Sequence, residues 1–244
     1  MTLQIKRFAP LVSRFGSTET RILIALILCA GSVWALVKLV SEVIYEREDA
    51  VDRSILIALR LPNDPSVPIG PLWLSECARD VTSLGSTSVL MLVVVEAIAF
   101  LLLNRRLRPA LHVAAAALGG SLLVAQLKQV LGRQRPNFVP AAADLHTLSF
   151  PSGHATMSAI IYLTLAAQLS RIVPSHTAKS FVVASALFVT MLVGASRVYL
   201  GVHWPTDVLA GWILGAAWAL FCWAVVERLE KRHSQPNARS NPSH

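Results

Sequence analysis

Long runs of apolar residues are the feature that most restricts what this chain can fold into. A run of about 18 or more apolar residues is long enough to cross a bilayer as a helix. Apolar residues make up 54% of the 244 residues and cluster in such runs rather than in periodic stripes. The pattern predicts an all-α, polytopic membrane protein with a bundle of six transmembrane helices. The predicted spans are about 22–44, 84–103, 110–131, 152–170, 180–198 and 205–226.

The basic residues predict how these spans are oriented. Lys and Arg gather in the cytoplasmic loops of membrane proteins. With six spans, all four basic groups fall on one side, which predicts a multi-pass plasma membrane protein with both termini in the cytoplasm. The four groups are Lys6, Arg7, Arg14 and Arg21; Arg105, Arg106 and Arg108; Arg171 and Lys179; and Arg228, Lys231, Arg232 and Arg239.

The chain divides into three predicted segments. Residues 1–21 form a cytoplasmic N-terminal segment and residues 22–232 form the membrane domain. The first run is too long for the apolar core of a signal peptide and lacks a clear cleavage site, so we expect it to be retained. Residues 233–244 are rich in Ser, Asn and Pro, which predicts a disordered cytoplasmic tail.

Composition also restricts the partners. The net charge of +8 is accounted for by the basic loops, and no basic stripe with interleaved aromatic residues indicates nucleic-acid binding. Cys29, Cys77 and Cys222 form neither a CxxC motif nor a Cys/His cluster. Neither a disulfide framework nor a zinc site is therefore predicted, and no cofactor is expected. The sequence does not indicate an oligomeric state.

The loop 45–83 is predicted on the side opposite the basic groups and is rich in acidic residues. Within it, residues 51–61 alternate charged residues with Ile and Leu. This stretch is consistent with a short interfacial helix. A loop helix packed on the bundle is an equally good interpretation.

Three polar segments end or begin predicted spans on that same side. The segment 128–136 ends span three, 150–154 opens span four, and 196–207 links spans five and six. In the first segment, Lys128 and Arg135 are seven residues apart, close to two helical turns, so a helix would point both in one direction before Pro136 ends it. Cations at a membrane edge are functional candidates, although side chains that reach for the interface are the common alternative.

The other two segments contribute a helix start and a paired histidine. Ser152 is a plausible N-cap, and the free N–H groups after it would bind an anion that Gly153 lets approach closely. His203 and Asp207 are four residues apart, so Asp207 can accept from one ring nitrogen and leave the other as a nucleophile. Simple capping and a structural His–Asp pair are the alternatives for each segment alone.

A phosphoryl group is the ligand that explains these segments together. Its oxygens accept bidentate hydrogen bonds from Arg135 and Arg197, and Lys128 supplies a point charge. Hydrolysis of phosphate esters is very slow without a catalyst, and fixed cations around the phosphorus stabilise the transition state without a metal. The three segments therefore predict phosphoryl chemistry at one face of the membrane.

The same residues resemble the type 2 phosphatidic acid phosphatase family, which shares its site with vanadium haloperoxidases. The resemblance covers Lys-x6-Arg-Pro, Pro-Ser-Gly-His and Ser-Arg-x5-His-x3-Asp, and the six-helix layout extends it over most of the chain. The first loop and the tail lie outside it. The matching positions are Lys128, Arg135, Pro136, Pro151, Ser152, Gly153, His154, Ser196, Arg197, His203 and Asp207.

The resemblance implies a role for each site residue. His203 would attack phosphorus and form a phosphohistidine, supported by Asp207. His154 would protonate the leaving oxygen and later help to activate water. The phosphate would be held by Lys128, Arg135, Ser152, Gly153 and Arg197. No metal is implied.

The leading hypothesis is a lipid phosphate phosphatase, with its site at the extracytoplasmic interface where a head group meets water. The resemblance implies a substrate such as phosphatidic acid, phosphatidylglycerol phosphate, diacylglycerol pyrophosphate, undecaprenyl pyrophosphate or a lipid A phosphate, and a broad-specificity or undecaprenyl pyrophosphate phosphatase ranks first. A lipid phosphotransferase with the same site is the second hypothesis. A vanadate-dependent haloperoxidase and a non-enzymatic transporter fit less well.

Overall fold

A computed structural model describes residues 17–45, 50–137 and 147–234 of the chain. Within these ranges the protein is helical apart from one short hairpin. The predicted segment 1–21 and the predicted tail 233–244 lie almost wholly outside the described residues. The elements are α1 Ser17–Tyr45, α2 Ala50–Ala58, β1 Arg60–Leu61, β2 Asp64–Pro68, α3 Leu72–Ser83, α4 Thr87–Leu103, α5 Leu107–Leu131, α6 Gly153–Ile172, α7 His176–Tyr199 and α8 Pro205–Ser234.

The helices confirm a multi-pass membrane protein. Five of them, α1, α5, α6, α7 and α8, are long and apolar enough to cross a bilayer. Helices α3 and α4 are joined at a bend of 43° and together pass the same test; counted as one broken span, they bring the total within the described ranges to six. The bend follows Leu84 and Gly85, where Ser86 caps α4 by accepting from the backbone N–H of Val89 at 3.3 Å.

Apolar side chains are divided between the lipid and the interior of the bundle. Phe100, Leu118 and Phe188 are more than half exposed, as side chains that face acyl chains must be. Leu90 and Ile160 are buried where α4, α5, α6 and α8 meet. Since lipid is as apolar as the core, close packing and small residues hold such helices together.

Glycines let α6 and α8 approach each other closely. A Cβ built on Gly215 would lie 2.6 Å from the backbone oxygen of Thr156 and 2.6 Å from the Cβ of Ala159. One turn earlier, a Cβ on Gly211 would lie 3.0 Å from the backbone oxygen of Ser152. The small residues of α8 are therefore used inside the bundle, and they bring its first turns beside the start of α6.

The segment between α1 and α4 caps one end of the bundle. Helix α2 buries Asp52 and Leu56, so the packed loop helix, and not a freely interfacial one, is the correct alternative. The antiparallel hairpin β1–β2 was not predicted by the helical patterns. Its Arg60 is buried and donates from Nη2 to the backbone oxygen of Tyr199 at 2.7 Å. The hairpin thereby covers the C-terminal end of α7.

The prediction that Lys128 and Arg135 lie two turns apart on one helix is wrong. Helix α5 ends at Leu131, and Gly132 follows with a φ of 60°, which glycine adopts without strain. The following residues run without helical hydrogen bonds and carry Arg135 back over the helix end. Both cations still reach one short segment, because Lys128 Nζ donates to the backbone oxygen of Leu148 and Arg135 Nε donates to that of Thr147.

We predict that Gly215→Ala destabilises the bundle. The added methyl group meets backbone atoms of α6 that cannot turn aside, and overpacking of this kind costs about 1–3 kcal/mol. Gly31→Ala in α1 is the matched control, because nothing lies within 4 Å of the Cβ built there. Thermal unfolding in detergent should show a lower midpoint for Gly215→Ala alone; equal midpoints would contradict the close packing of α6 on α8.

Candidate active site

The predicted site residues converge at one end of the bundle. Four helix ends and the segments between them meet there, next to the cap formed by α2, the hairpin and α3. The end of α5 carries Lys128, the start of α6 carries Ser152, Gly153 and His154, the end of α7 carries Arg197, and the start of α8 carries Asp207. Arg135 and His203 lie on the connecting segments.

His203 lies at the centre with its two ring nitrogens in different surroundings. Its side chain is 1% exposed. Nδ1 lies 3.3 Å from Asp207 Oδ2, and Nε2 lies 3.1 Å from Arg135 Nη1. Because a guanidinium only donates, Nε2 must accept and the ring proton belongs on Nδ1. This geometry gives a neutral imidazole whose unprotonated Nε2 accepts from Arg135.

Asp207 is fully buried and is held by four donors. Oδ2 accepts from the backbone N–H of Trp204 at 3.0 Å, from the hydroxyl of Ser149, and from His203. Oδ1 accepts from Arg133 Nη1 at 2.7 Å. Pro205 opens α8, as the sequence predicts, and places Asp207 in its first turn. The donors compensate for the lost water and fix the carboxylate against the imidazole.

Arg135 is positioned by backbone and side-chain oxygens. Its guanidinium donates to the Thr147 backbone oxygen at 2.8 Å, to Thr147 Oγ1 at 2.9 Å and to the Val202 backbone oxygen at 2.5 Å. Together with the bond to His203 Nε2, these bonds use four of the five N–H groups and leave one on Nη2 for an anion.

The N-terminus of α6 lies against Lys128. Ser152 caps the helix by accepting from the backbone N–H of Ala155 at 3.5 Å, which confirms the predicted cap. Its own N–H donates to the backbone oxygen of Asp207 at 3.0 Å. The next N–H groups, of Gly153 and His154, have no acceptor within the helix. A Cβ built on Gly153 would lie 4.0 Å from Lys128 Cε, so the cation and the helix N-terminus share one space.

Arg197 and His154 complete the site from the side of the α3–α4 bend. Arg197 is 8% exposed and donates to Thr82 Oγ1 at 3.3 Å, while its Nε has no hydrogen-bond partner among the described residues. His154 packs at Gly85, whose built Cβ would lie 3.3 Å from His154 Cβ.

Burial, supported by the nearby charges of Arg135 and Arg197, lowers the pKa of His203 to about 4, although Asp207 acts in the opposite direction. The imidazole is therefore neutral around pH 7. A neutral ring is what the hydrogen bond from Arg135 to Nε2 also requires.

The sequence patterns missed the residues that surround the His–Asp pair. Arg133 contacts Asp207 and Asp52, and Ser149 contacts Asp207 and His203. Arg133 lies in the first polar segment, but no sequence feature indicated for it a role distinct from that of Arg135, which precedes proline. Asp52 is one of several acidic residues in its loop, and no spacing distinguishes it.

The described residues offer no evident metal-binding cluster. Within 17–45, 50–137 and 147–234, no three His, Cys, Asp or Glu side chains are grouped to hold an ion. The positive charge at the site comes instead from Lys128, Arg135 and Arg197.

Comparison with known proteins yields a consistent set of relatives. The family model described as the PAP2 superfamily matches residues 109–231, just over half of the chain. Phosphatidylglycerophosphatase B of Bacillus subtilis is 36% identical over 146 residues, 59% of this chain and 70% of that protein. Decaprenylphosphoryl-5-phosphoribose phosphatase of Mycobacterium tuberculosis is 31% identical over 144 residues, 57% of this chain and 73% of that protein.

A solved structure extends the similarity to the fold. It is the crystal structure of a transmembrane PAP2-type phosphatidylglycerolphosphate phosphatase from Bacillus subtilis. It matches with a TM-score of 0.73 and 29% identity, and covers 85% of this chain and 98% of that one. The match reaches beyond residues 109–231 and therefore includes helices outside the family model.

The lowered pKa of His203 predicts how stability depends on pH. Below about pH 6.5 an unfolded histidine binds a proton that the buried ring does not, so the free energy of unfolding falls by at most about 1.4 kcal/mol per pH unit. The loss should extend from about pH 6.5 down to about 4. Thermal unfolding in detergent should show a steeper fall from pH 7 to pH 5 for the native protein than for His203→Gln. Parallel curves would contradict a neutral His203.

Proposed function

This chain belongs to the PAP2 superfamily, and from its site we propose that it is a membrane phosphatase that removes a phosphate group from a lipid through a phosphohistidine intermediate. The observation that carries the proposal is the arrangement around His203. Nε2 is unprotonated and accepts from Arg135, whose donor a bound phosphate would take over, while Nδ1 faces the buried Asp207.

The first step is attack by His203 Nε2 on phosphorus. The new N–P bond forms as the bond from phosphorus to the leaving oxygen breaks. Positive charge develops on the imidazole, and Asp207 stabilises it through the Nδ1 proton. The step yields a phosphohistidine and an alcohol or a lipid phosphate, depending on whether the substrate is a monoester or a diphosphate.

His154 transfers the protons. His154 begins protonated, a form that the negative charge of the bound phosphate favours, and gives this proton to the leaving oxygen as the bond breaks. It regains a proton from the water that attacks the phosphohistidine in the second step. Attack by water releases inorganic phosphate and restores neutral His203. The position of His154 in the first turn of α6, beside the phosphate-binding N–H groups, supports this role.

The remaining residues hold the transferred group. Arg135 and Arg197 would donate to its oxygens, Lys128 would supply a nearby charge, and the start of α6 would contribute N–H groups from Gly153. The buried Ser152 shapes this helix start and can donate its hydroxyl. Fixed donors of this kind stabilise the charge that builds on the equatorial oxygens.

We place the site on the extracytoplasmic face, with both termini in the cytoplasm. The basic loops of the bundle lie at the end opposite to His203, and basic loops face the cytoplasm. A site at the end of membrane helices suits a substrate whose tails stay in the bilayer while its head group reaches water.

The sequence alone ranks a broad-specificity or undecaprenyl pyrophosphate phosphatase first, but the similarity to phosphatidylglycerophosphatase B leads us to propose phosphatidylglycerol phosphate as the first candidate. Similarity to an undecaprenyl-diphosphatase of Sulfolobus acidocaldarius, 36% identical over 108 residues, 41% of this chain and 46% of that protein, supports undecaprenyl diphosphate as the next candidate. The shared chemistry is a terminal phosphate on a membrane lipid.

We predict that His203→Ala abolishes phosphate release while the protein still folds. Purified protein in liposomes is assayed for inorganic phosphate against phosphatidic acid, phosphatidylglycerol phosphate and undecaprenyl diphosphate. His176→Ala is the matched control, because His176 is exposed at the opposite end of the bundle. The loss should exceed about a thousandfold, as for other removed nucleophiles.

Activity of His203→Ala near that of the control would refute the nucleophile assignment. Phosphate that appears on an added lipid acceptor instead of in solution would identify a phosphotransferase. Lipid flux without phosphate release would refute an enzymatic function.

We further predict full activity of the liposome preparation in excess chelator. The charge at the site is supplied by side chains, and the described residues include no group of three or more His, Cys, Asp or Glu side chains that could hold an ion. Phosphate release is measured before and after the chelator, and again with added magnesium. A strict requirement for magnesium would contradict the mechanism.

A further inference from the structure

The proposed mechanism uses only one oxygen of Asp207. Oδ2 faces His203, while Oδ1 points away and accepts from Arg133 Nη1 at 2.7 Å. Arg133 is 8% exposed, and its guanidinium lies 5.4 Å from the centre of the Trp204 ring. The guanidinium is therefore fixed against the loop that carries His203.

Arg133 is in turn held by a second buried carboxylate. Its Nη2 donates to Asp52 Oδ2 at 2.7 Å, and Asp52 is 1% exposed. Thr206 joins the group: its hydroxyl accepts from Arg133 Nη1 at 2.7 Å and donates to Asp52, and its N–H donates to Asp52 Oδ1 at 2.9 Å. One guanidinium thus bridges two carboxylates on different helices.

The charges of Asp52, Arg133 and Asp207 together determine how strongly Asp207 accepts from His203. Two negative groups share one positive group away from water, so Arg133 neutralises only part of the charge of Asp207. The rest remains available to accept the Nδ1 proton of His203 and to stabilise positive charge on the ring. If Asp52 were neutral, Arg133 would act on Asp207 alone and weaken that acceptance, because opposite charges interact strongly where water is excluded.

Asp52 lies outside the part of the chain that the family model matches. It is on α2, in the segment between the first two spans, whereas the match covers residues 109–231. The contact therefore connects the extracytoplasmic cap to the catalytic pair, and it is available only while α2 is packed on the bundle.

We propose that Arg133, bridged between Asp52 and Asp207, is a positioning residue for His203, and that α2 acts on the chemistry through this bridge. The proposal rests on the phosphohistidine mechanism above. It assigns Asp52 a role in the rate of phosphoryl transfer and none in substrate binding, because its contacts lie on the far side of Asp207 from His203 Nε2.

Asp52→Asn is the first test, with Asp64→Asn as its matched control. Asp64 is an exposed carboxylate on β2 of the same cap, and its side chain bonds to Ser66. Asp52→Asn should lower kcat about 10- to 100-fold with KM nearly unchanged, the loss seen when outer partners of a functional histidine are removed. Asp64→Asn should match the native kinetics. Rates are referred to folded protein, quantified by gel filtration and thermal unfolding.

Arg133→Lys is the second test, and it decides the matter if Asp52→Asn does not fold. It keeps the positive charge, but one ammonium cannot reproduce the planar fork that contacts both carboxylates. A fall in kcat of similar size, again with little change in KM, is expected.

A double-mutant cycle separates positioning from general destabilisation. If Asp52 acts through Asp207, adding Asp52→Asn to Asp207→Asn should cause little further loss of kcat. A merely structural role would make the two losses multiply. Where Asp52→Asn does not fold, Arg133→Lys takes its place in the cycle.

The outcomes distinguish this proposal from the proposed function. If the native protein and Asp64→Asn release phosphate, and Asp52→Asn and Arg133→Lys keep the native kcat, the bridge is refuted while the phosphatase stands. Multiplying losses in the cycle, or a change confined to KM, would also refute it. If the native protein releases no phosphate from any lipid of the panel, the proposed function fails and the bridge fails with it.

Discussion

The architecture of this protein depends on a carboxylate that is buried at the start of its last helix. Removing an ionised group from water is costly unless donors replace the lost hydration. Asp207 receives such donors from Arg133, Ser149, the backbone of Trp204, and His203. These donors come from the segments that link α5 to α6 and α7 to α8, so satisfying one charge holds the connecting segments together.

The same convergence gives the site its chemical character. Segments that must donate to one carboxylate also bring Arg135 to Nε2, on the side of the His203 ring that faces away from it. The imidazole thus has an acceptor on one side and a cation on the other. This asymmetry keeps Nε2 unprotonated and opposite a space suited to an anion, so the nucleophile and the anion site follow from one packing solution.

Much of the architecture follows from sequence because its causes are local. Apolar length predicts the spans, and the capping chemistry of Ser152 and Pro205 predicts where α6 and α8 begin. The sequence-based predictions fail where a special backbone conformation or a contact between residues distant in sequence determines the structure. Gly132 adopts a left-handed conformation that ends α5 early, so Arg135 reaches the site along a loop. Asp52 is important only because Arg133, 81 residues later, folds against it.

The spread of the site along the chain has a consequence for biogenesis. During synthesis Asp52 is made first, Lys128 and Arg135 follow at the end of the third span, and His203 is made only just before the last span. A chain that is still being inserted, or one truncated before α8, lacks both His203 and the carboxylate of Asp207 that the other segments contact. On the proposed mechanism, phosphoryl chemistry therefore begins only in a completed bundle, and synthesis intermediates in the membrane are inert towards phosphorylated lipids.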